Sequence, residues 1–144
     1  MLALKSEAQT TNLEKLNNYK IGFFTKKLDL SSEEAEKFWP VYNDYQTQRN
    51  SIQLEKLKIN RNFNLNESSL TDKQLTDMGD KFVDYLVQES ELSVELHKKL
   101  KEVLSPAKVI RYYQAEAQYK AQLLNELQNL KQEQRLRPAR RFNN

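Results

Sequence analysis

Residues 70–108, LTDKQLTDMGDKFVDYLVQESELSVELHKKLKEVLSPAK, decide the fold. Leu75, Met78, Phe82, Tyr85, Leu92, Leu96, Leu100 and Val103 recur at steps of three, four and seven. That spacing puts one apolar stripe along one side of an α-helix. At the start, the Thr71 hydroxyl can cap the free amides while Gln74 reaches back, a capping box. At the end, Ser105 is a cap and Pro106 takes a first helical position, where its missing N–H costs nothing. The stripe implies a helix of about 33 residues and roughly 50 Å. The expected fold class is therefore all-α, with four long helices.

The neighbouring segments extend the pattern. Upstream lies NRNFNLNESSL, residues 60–70, whose asparagines and serines compete with helix by bonding locally; it is expected to be the main break. A second helix is expected from the Ser31 cap, with Glu34 completing the box and Leu30 as a hydrophobic staple. Its inward positions are Phe38, Tyr42, Tyr45, Arg49, Ile52, Lys56, Ile59 and Phe63, alternating four and three like a coiled-coil seam. Pro40 falls inside it and removes one backbone bond. The helix either kinks there, which would let it curve, or Pro40 marks a short separate turn. A first helix is expected from Asn12 to Leu28 with Thr11 as cap, burying Leu13, Leu16, Ile21, Phe24 and Leu28. A fourth is expected to bury Val109, Tyr113, Ala117, Leu124, Leu127 and Leu130 before Pro138 stops it. The organisation expected is a start at residues 1–10, one helical domain at 11–134 and a basic flexible tail at 135–144.

Composition narrows the function classes. The 144 residues include two glycines, three prolines and no cysteine, so disulfides, thiolate catalysis and cysteine metal sites are excluded. No apolar run approaches the roughly 20 residues a spanning helix needs. Of the formal charge of +3, the segment 129–144 carries +4, from Lys131, Arg135, Arg137, Arg140 and Arg141 against Glu133, leaving −1 elsewhere. The body is thus no nucleic-acid surface by composition. The terminal arginines can attract acidic peptide, lipid or nucleic acid, or simply stay solvated. Met1 to Ala8 ends in Ser6-Glu7-Ala8, small residues a signal peptidase accepts, and reads either as the stub of an export signal or as a frayed terminus.

Three helix starts share one grammar: LSSEE at 30–34, LTDKQ at 70–74 and LSPAK at 104–108, each a leucine followed by a hydroxyl cap. This resembles the LTxxQ motif of the Spy and CpxP family of bacterial periplasmic chaperones and stress sensors. Leu70, Thr71 and Gln74 match it literally. Leu30-Ser31 and Leu104-Ser105, by position the usual pair, carry serine for threonine, with Glu34 and Lys108 where glutamine is expected. IGFFTKKLDLSSEEAEKFWPVYNDYQ (21–46) and LHKKLKEVLSPAKVIRYYQAEAQYKAQLL (96–124) look like Spy-related proteins of Bacteroidetes, often labelled sensors of ECF-type sigma factors. The resemblance implies an exported helical protein whose long, bent helices form a thin hairpin or cradle, commonly an antiparallel dimer, with a concave face that holds unfolded clients without ATP.

No residue set points to turnover. His97 stands alone, without ligand-spaced partners, and reads as a partly exposed histidine. Asp77, Asp80, Asp84 and Glu91 share one helical side, as a divalent-cation stripe would or as an ordinary solvated face does. The alternating asparagines of NRNFNLNE lack the acidic first ligand and the glycine of a calcium loop. Neighbouring rings such as Phe38-Trp39 and Tyr112-Tyr113 cannot both point into one seam, so one of each faces a client or a second copy. Trp39, Tyr42, Tyr45, Phe82, Tyr112 and Tyr113 are the expected apolar contacts, and Arg49, Lys56, Arg111 and Lys120 the expected nearby charge. The expected function is binding of unfolded or partner proteins, as a homodimer, with no cofactor, nucleic acid or membrane span. The alternatives are a regulatory sensor docking one signalling partner at the membrane and, last, a cation-binding protein.

Overall fold

Both complete capping boxes form. The Glu34 amide donates to Ser31 Oγ at 3.1 Å while the Ser31 amide donates to the Glu34 carboxylate at 3.4 Å. The Gln74 amide donates to Thr71 Oγ1 at 3.2 Å, and the Thr71 amide to Gln74 Oε1 at 2.9 Å. In this computed structural model, which describes the backbone of residues 2–137 and the side chains of residues 14–137, they open two of four α-helices. These are α1 (Leu2–Leu28), α2 (Ser32–Asn66), α3 (Asp72–Val103) and α4 (Pro106–Leu136), with a 3₁₀ turn, Glu67–Ser69, between α2 and α3. The fold is all-α. Because each box satisfies two otherwise orphaned donors, a Thr71→Ala variant should lose about 1 kcal/mol in urea unfolding followed by circular dichroism.

The boundaries depart from the expected ones in two places. α1 begins at Leu2, so Thr11 lies within a helix rather than capping it. α2 runs through the asparagines to Asn66, and the break is confined to Glu67–Ser69. There the Asn66 side-chain amide donates to Asn62 Oδ1 at 2.8 Å, so this pair bonds along the helix instead of away from it. As expected, Pro40 lies inside α2, which runs through it as one helix, so the alternative of a short separate turn is excluded. The Met1–Ala8 signal reading and the Pro138–Asn144 part of the tail rest on side chains outside the described residues.

Two compact units form, Leu30–Pro106 and the combination of Met1–Asp29 with Ala107–Asn144. In the first, α2 and α3 pair as an antiparallel hairpin: Lys99 meets Asp44 at 3.8 Å and Lys56 meets Glu89 at 2.6 Å, late residues of one helix against early residues of the other. Every residue of the α3 stripe from Leu75 to Val103 is buried or half-buried, as its spacing requires. On α2, Phe38, Tyr42 and Ile52 are buried, Tyr45, Arg49, Lys56 and Ile59 are half-buried, and Phe63 is exposed near the far end.

In the second unit, α1 and α4 meet through rings. Phe24 and Leu28 are fully buried, and the centroid of Phe24 lies 6.2 Å from Tyr112 and 5.7 Å from Tyr119. Tyr19 donates from its hydroxyl to Gln122 Oε1 at 3.0 Å, and the Lys108 ammonium donates to the Asp29 carbonyl at 2.6 Å. Asp29 takes a left-handed φ of 53° at the end of α1, a conformation an aspartate tolerates better than most residues. The seam expected on α4 is corrected here. Its buried side is Val109, Tyr112, Ala115 and Tyr119, whereas Tyr113, Ala117, Leu124, Leu127 and Leu130 are exposed.

Candidate functional site

The hairpin has two lateral sides with different chemistry. On one, Gln48, Ser51, Glu55, Lys58 and Asn62 of α2 follow at helical steps and border two grooves against α3. One groove, about 340 Å³, includes Gln74, Asp77, Lys81 and Tyr85; the other, about 490 Å³, includes Gln88, Glu91, Leu92 and Glu95. This side mixes charges of both signs with apolar residues, Ile59, Leu70 and Met78 in the first groove and Ile52 and Leu92 in the second. Lys58 donates to Glu55 at 2.7 Å, and that bond holds its ammonium above the ordinary lysine range. Asp77, Asp80, Asp84 and Glu91 are all exposed. Among the described residues no group of three or more histidine or carboxylate side chains is placed to hold a metal ion.

The other side carries Arg49, Gln53 and Lys56, which follow at four- and three-residue steps on α2. Gln53 and Lys56 both donate to the Glu89 carboxylate, Lys56 at 2.6 Å. The two side chains of this ion pair are 18% and 21% exposed, so it stands in partial desolvation inside the seam. On the outer face of α3, turned away from the α2 seam, Val83, Leu86, Val87 and Val94 are 61%, 59%, 51% and 52% exposed. Their spacing, with Ser90, repeats a helical stripe a second time on α3, outside the stripe that packs on α2. Apolar side chains scattered singly need no explanation, but a line of four on one helix side does.

The expected contact residues divide by burial. Phe38, Trp39 and Tyr42 form one ring cluster, Trp39 edge-on to Phe38 at 5.0 Å and to Tyr42 at 5.5 Å. Tyr42 is 2% exposed, so its ring is packing and not offered surface; Trp39, Tyr45 and Phe82 are half-buried. Tyr112 is likewise 2% exposed, while Tyr113, edge-on to it at 5.3 Å, is 41% exposed. Of the two neighbouring pairs, Tyr113 is exposed beside buried Tyr112, while Trp39 is half-buried beside buried Phe38. Lys56 is spent on Glu89 rather than held ready for a partner. Lys120 lies 3.9 Å from Glu116, and Arg111 is exposed on α4. Burial pushes the Tyr119 hydroxyl above the ordinary tyrosine value, consistent with a ring that serves packing.

The line Val83, Leu86, Val87 and Val94 was not among the expected contacts. Its signal was present as the steps four, three and four from Val83 through Val87 and Ser90 to Val94, masked by the stronger aromatic stripe beside it. Comparison with protein-family models, with curated proteins and with solved structures finds no match to this chain.

Proposed function

We propose that this chain is an exported, ATP-independent binding protein, chaperone-like or stress-sensing, that takes up unfolded or partner protein segments on the α2/α3 hairpin without turnover. The observation that carries the reading is the exposed apolar line Val83, Leu86, Val87 and Val94 on the side of α3 turned away from the α2 seam. An exposed apolar line can bind many sequences, because apolar burial is non-directional. The LTxxQ-like helix starts support the same reading. A homodimer is part of the proposal, as is residence in the periplasm or another exported compartment. No helix of the described residues is long and apolar enough to cross a membrane.

The test is light scattering of a model client unfolded by heat or reductant. Suppression at near-stoichiometric ratios is expected from the parent chain. A Leu86→Glu/Val87→Glu variant should lose most of that suppression while keeping its unfolding midpoint, since both side chains are more than half exposed. Suppression equal to the parent's would remove the stripe from the site. Absence of suppression by the parent, together with saturable binding to a single protein, would favour the second reading, a sensor docking one signalling partner at the membrane. The cation-binding reading predicts a melting transition that shifts with added divalent ions; the exposed acidic line on α3 gives it little support.

A further inference from the structure

α4 carries two apolar lines one residue out of phase, one buried and one exposed. Packing against α1 takes the side of Val109, Tyr112 and Tyr119. The other line, Ile110, Tyr113, Ala117, Ala121 and Leu124, is exposed along its whole length, with Ile110 at 58% and Leu124 at 60%. Ile110, Ala117 and Leu124 are spaced by sevens, the repeat by which one helix packs on another over several turns. The next members of the same register are Lys131, seven residues past Leu124, and Arg135, one turn further. The seam therefore begins apolar and ends in two cations. Glu126 and Glu133 project from the opposite side of α4, where they do not offset them.

We infer that this outer seam of α4 docks an amphipathic helix of a partner protein, laid antiparallel, with apolar residues at heptad spacing and carboxylates in its first two turns. The alanines at the centre let a second helix approach closely, and 15 residues of stripe give roughly 20 Å of contact, about four turns. In an antiparallel arrangement the partner's first turns lie against Lys131 and Arg135. Carboxylates there meet both the cations and the positive end of their own helix dipole, so one placement satisfies two preferences. A lipid surface fits less well, because a helix lying in an interface uses a broad face of bulky side chains, and this line is narrow with small residues at its middle. The surface lies outside the α2/α3 hairpin, so it is independent of the binding proposed there. It takes in Tyr113 and borders Lys120, two of the residues the sequence singles out.

The test uses the whole chain and two labelled three-heptad synthetic peptides with leucine at the seam positions, one with glutamates in its first two turns and one with lysines there, read by fluorescence anisotropy. The glutamate peptide should bind about tenfold more tightly, a Leu124→Glu variant should bind neither, and a Lys131→Glu/Arg135→Glu variant should invert the preference, all three chains keeping the same helicity. Equal affinity for the two peptides, or unchanged binding by Leu124→Glu, overturns the inference. So does a parent chain whose self-association is abolished by Leu124→Glu, which would show a second copy on the seam. Co-sedimentation with phosphatidylglycerol vesicles that Leu124→Glu removes, where neither peptide binds, would assign the seam to lipid instead.

Discussion

A Phe24→Ala variant is expected to lose about 3–5 kcal/mol of unfolding free energy, the largest single effect in the chain. Phe24 has no exposed surface and shares ring contacts with Phe23, Tyr112 and Tyr119 at centroid distances of 5.6, 6.2 and 5.7 Å. Truncation removes the transfer free energy of the ring and leaves a void among aromatic groups that have few ways to collapse into it. The edge-on contact with Phe23 contributes about 0.5–1.5 kcal/mol of that loss, and the Tyr112 and Tyr119 rings meet Phe24 tilted. A domain of this size has only about 5–15 kcal/mol in total, so the variant should unfold at much lower urea, and α1 and α4 should separate first. Urea titration by far-ultraviolet circular dichroism reads the loss, and hydrogen exchange of the α4 amides locates it. Phe24→Leu should recover most of the difference. A loss below about 1 kcal/mol would mean that these rings are not the main link between the two helices.

The second large effect concerns Glu89. Removing its carboxylate strands the Lys56 ammonium and the Gln53 amide in a seam where both are half-buried, and a Glu89→Ala variant should lose about 2 kcal/mol, less than for a fully buried pair because some water still reaches it. The informative comparison is Lys56→Met with Glu89→Leu. Two apolar side chains of similar length at the same positions lose no unpaired charge, and stability should return to within about 1 kcal/mol of the parent. Urea midpoints of the three chains decide it. If the double variant is as unstable as the single one, packing geometry at these positions matters and the ion pair does not. Retained stability with altered helix register, seen as new contacts to residues beside Glu89, would identify the pair as the feature that fixes the hairpin's alignment.

Much of this fold is legible because a few segments admit only one reading. The α3 stripe from Leu75 to Val103 has no competing apolar side of equal strength, so periodicity and burial agree at every position. The capping boxes at Ser31 and Thr71 are local devices whose partners lie three residues away, and local geometry needs no tertiary information. α4 shows the opposite case. Its sequence supports two seams, through Tyr112 and through Tyr113, and only the rings of α1 decide which is buried. The asparagine run failed for another reason: asparagine lowers helix propensity by well under 1 kcal/mol per residue, too little to stop a helix already propagating from Ser32, and Asn66 bonds to Asn62 along it. Of the proposed contact residues, the divergence of Tyr113 from Tyr112 was foreseeable from adjacency, since neighbours on a helix diverge. That Lys56 is committed to Glu89 was not, because the pairing spans two helices and depends on their register.

Trp39 is the only tryptophan in the chain, and it sits edge-on to Phe38 and Tyr42 near the start of α2. Its indole emission, excited at wavelengths that tyrosine does not absorb, is thus an optical reporter for one end of one unit, while the tyrosines packed between α1 and α4 stay dark. The molecule carries its own probe for telling, in a single cuvette, whether loosening begins at that end of the hairpin or elsewhere.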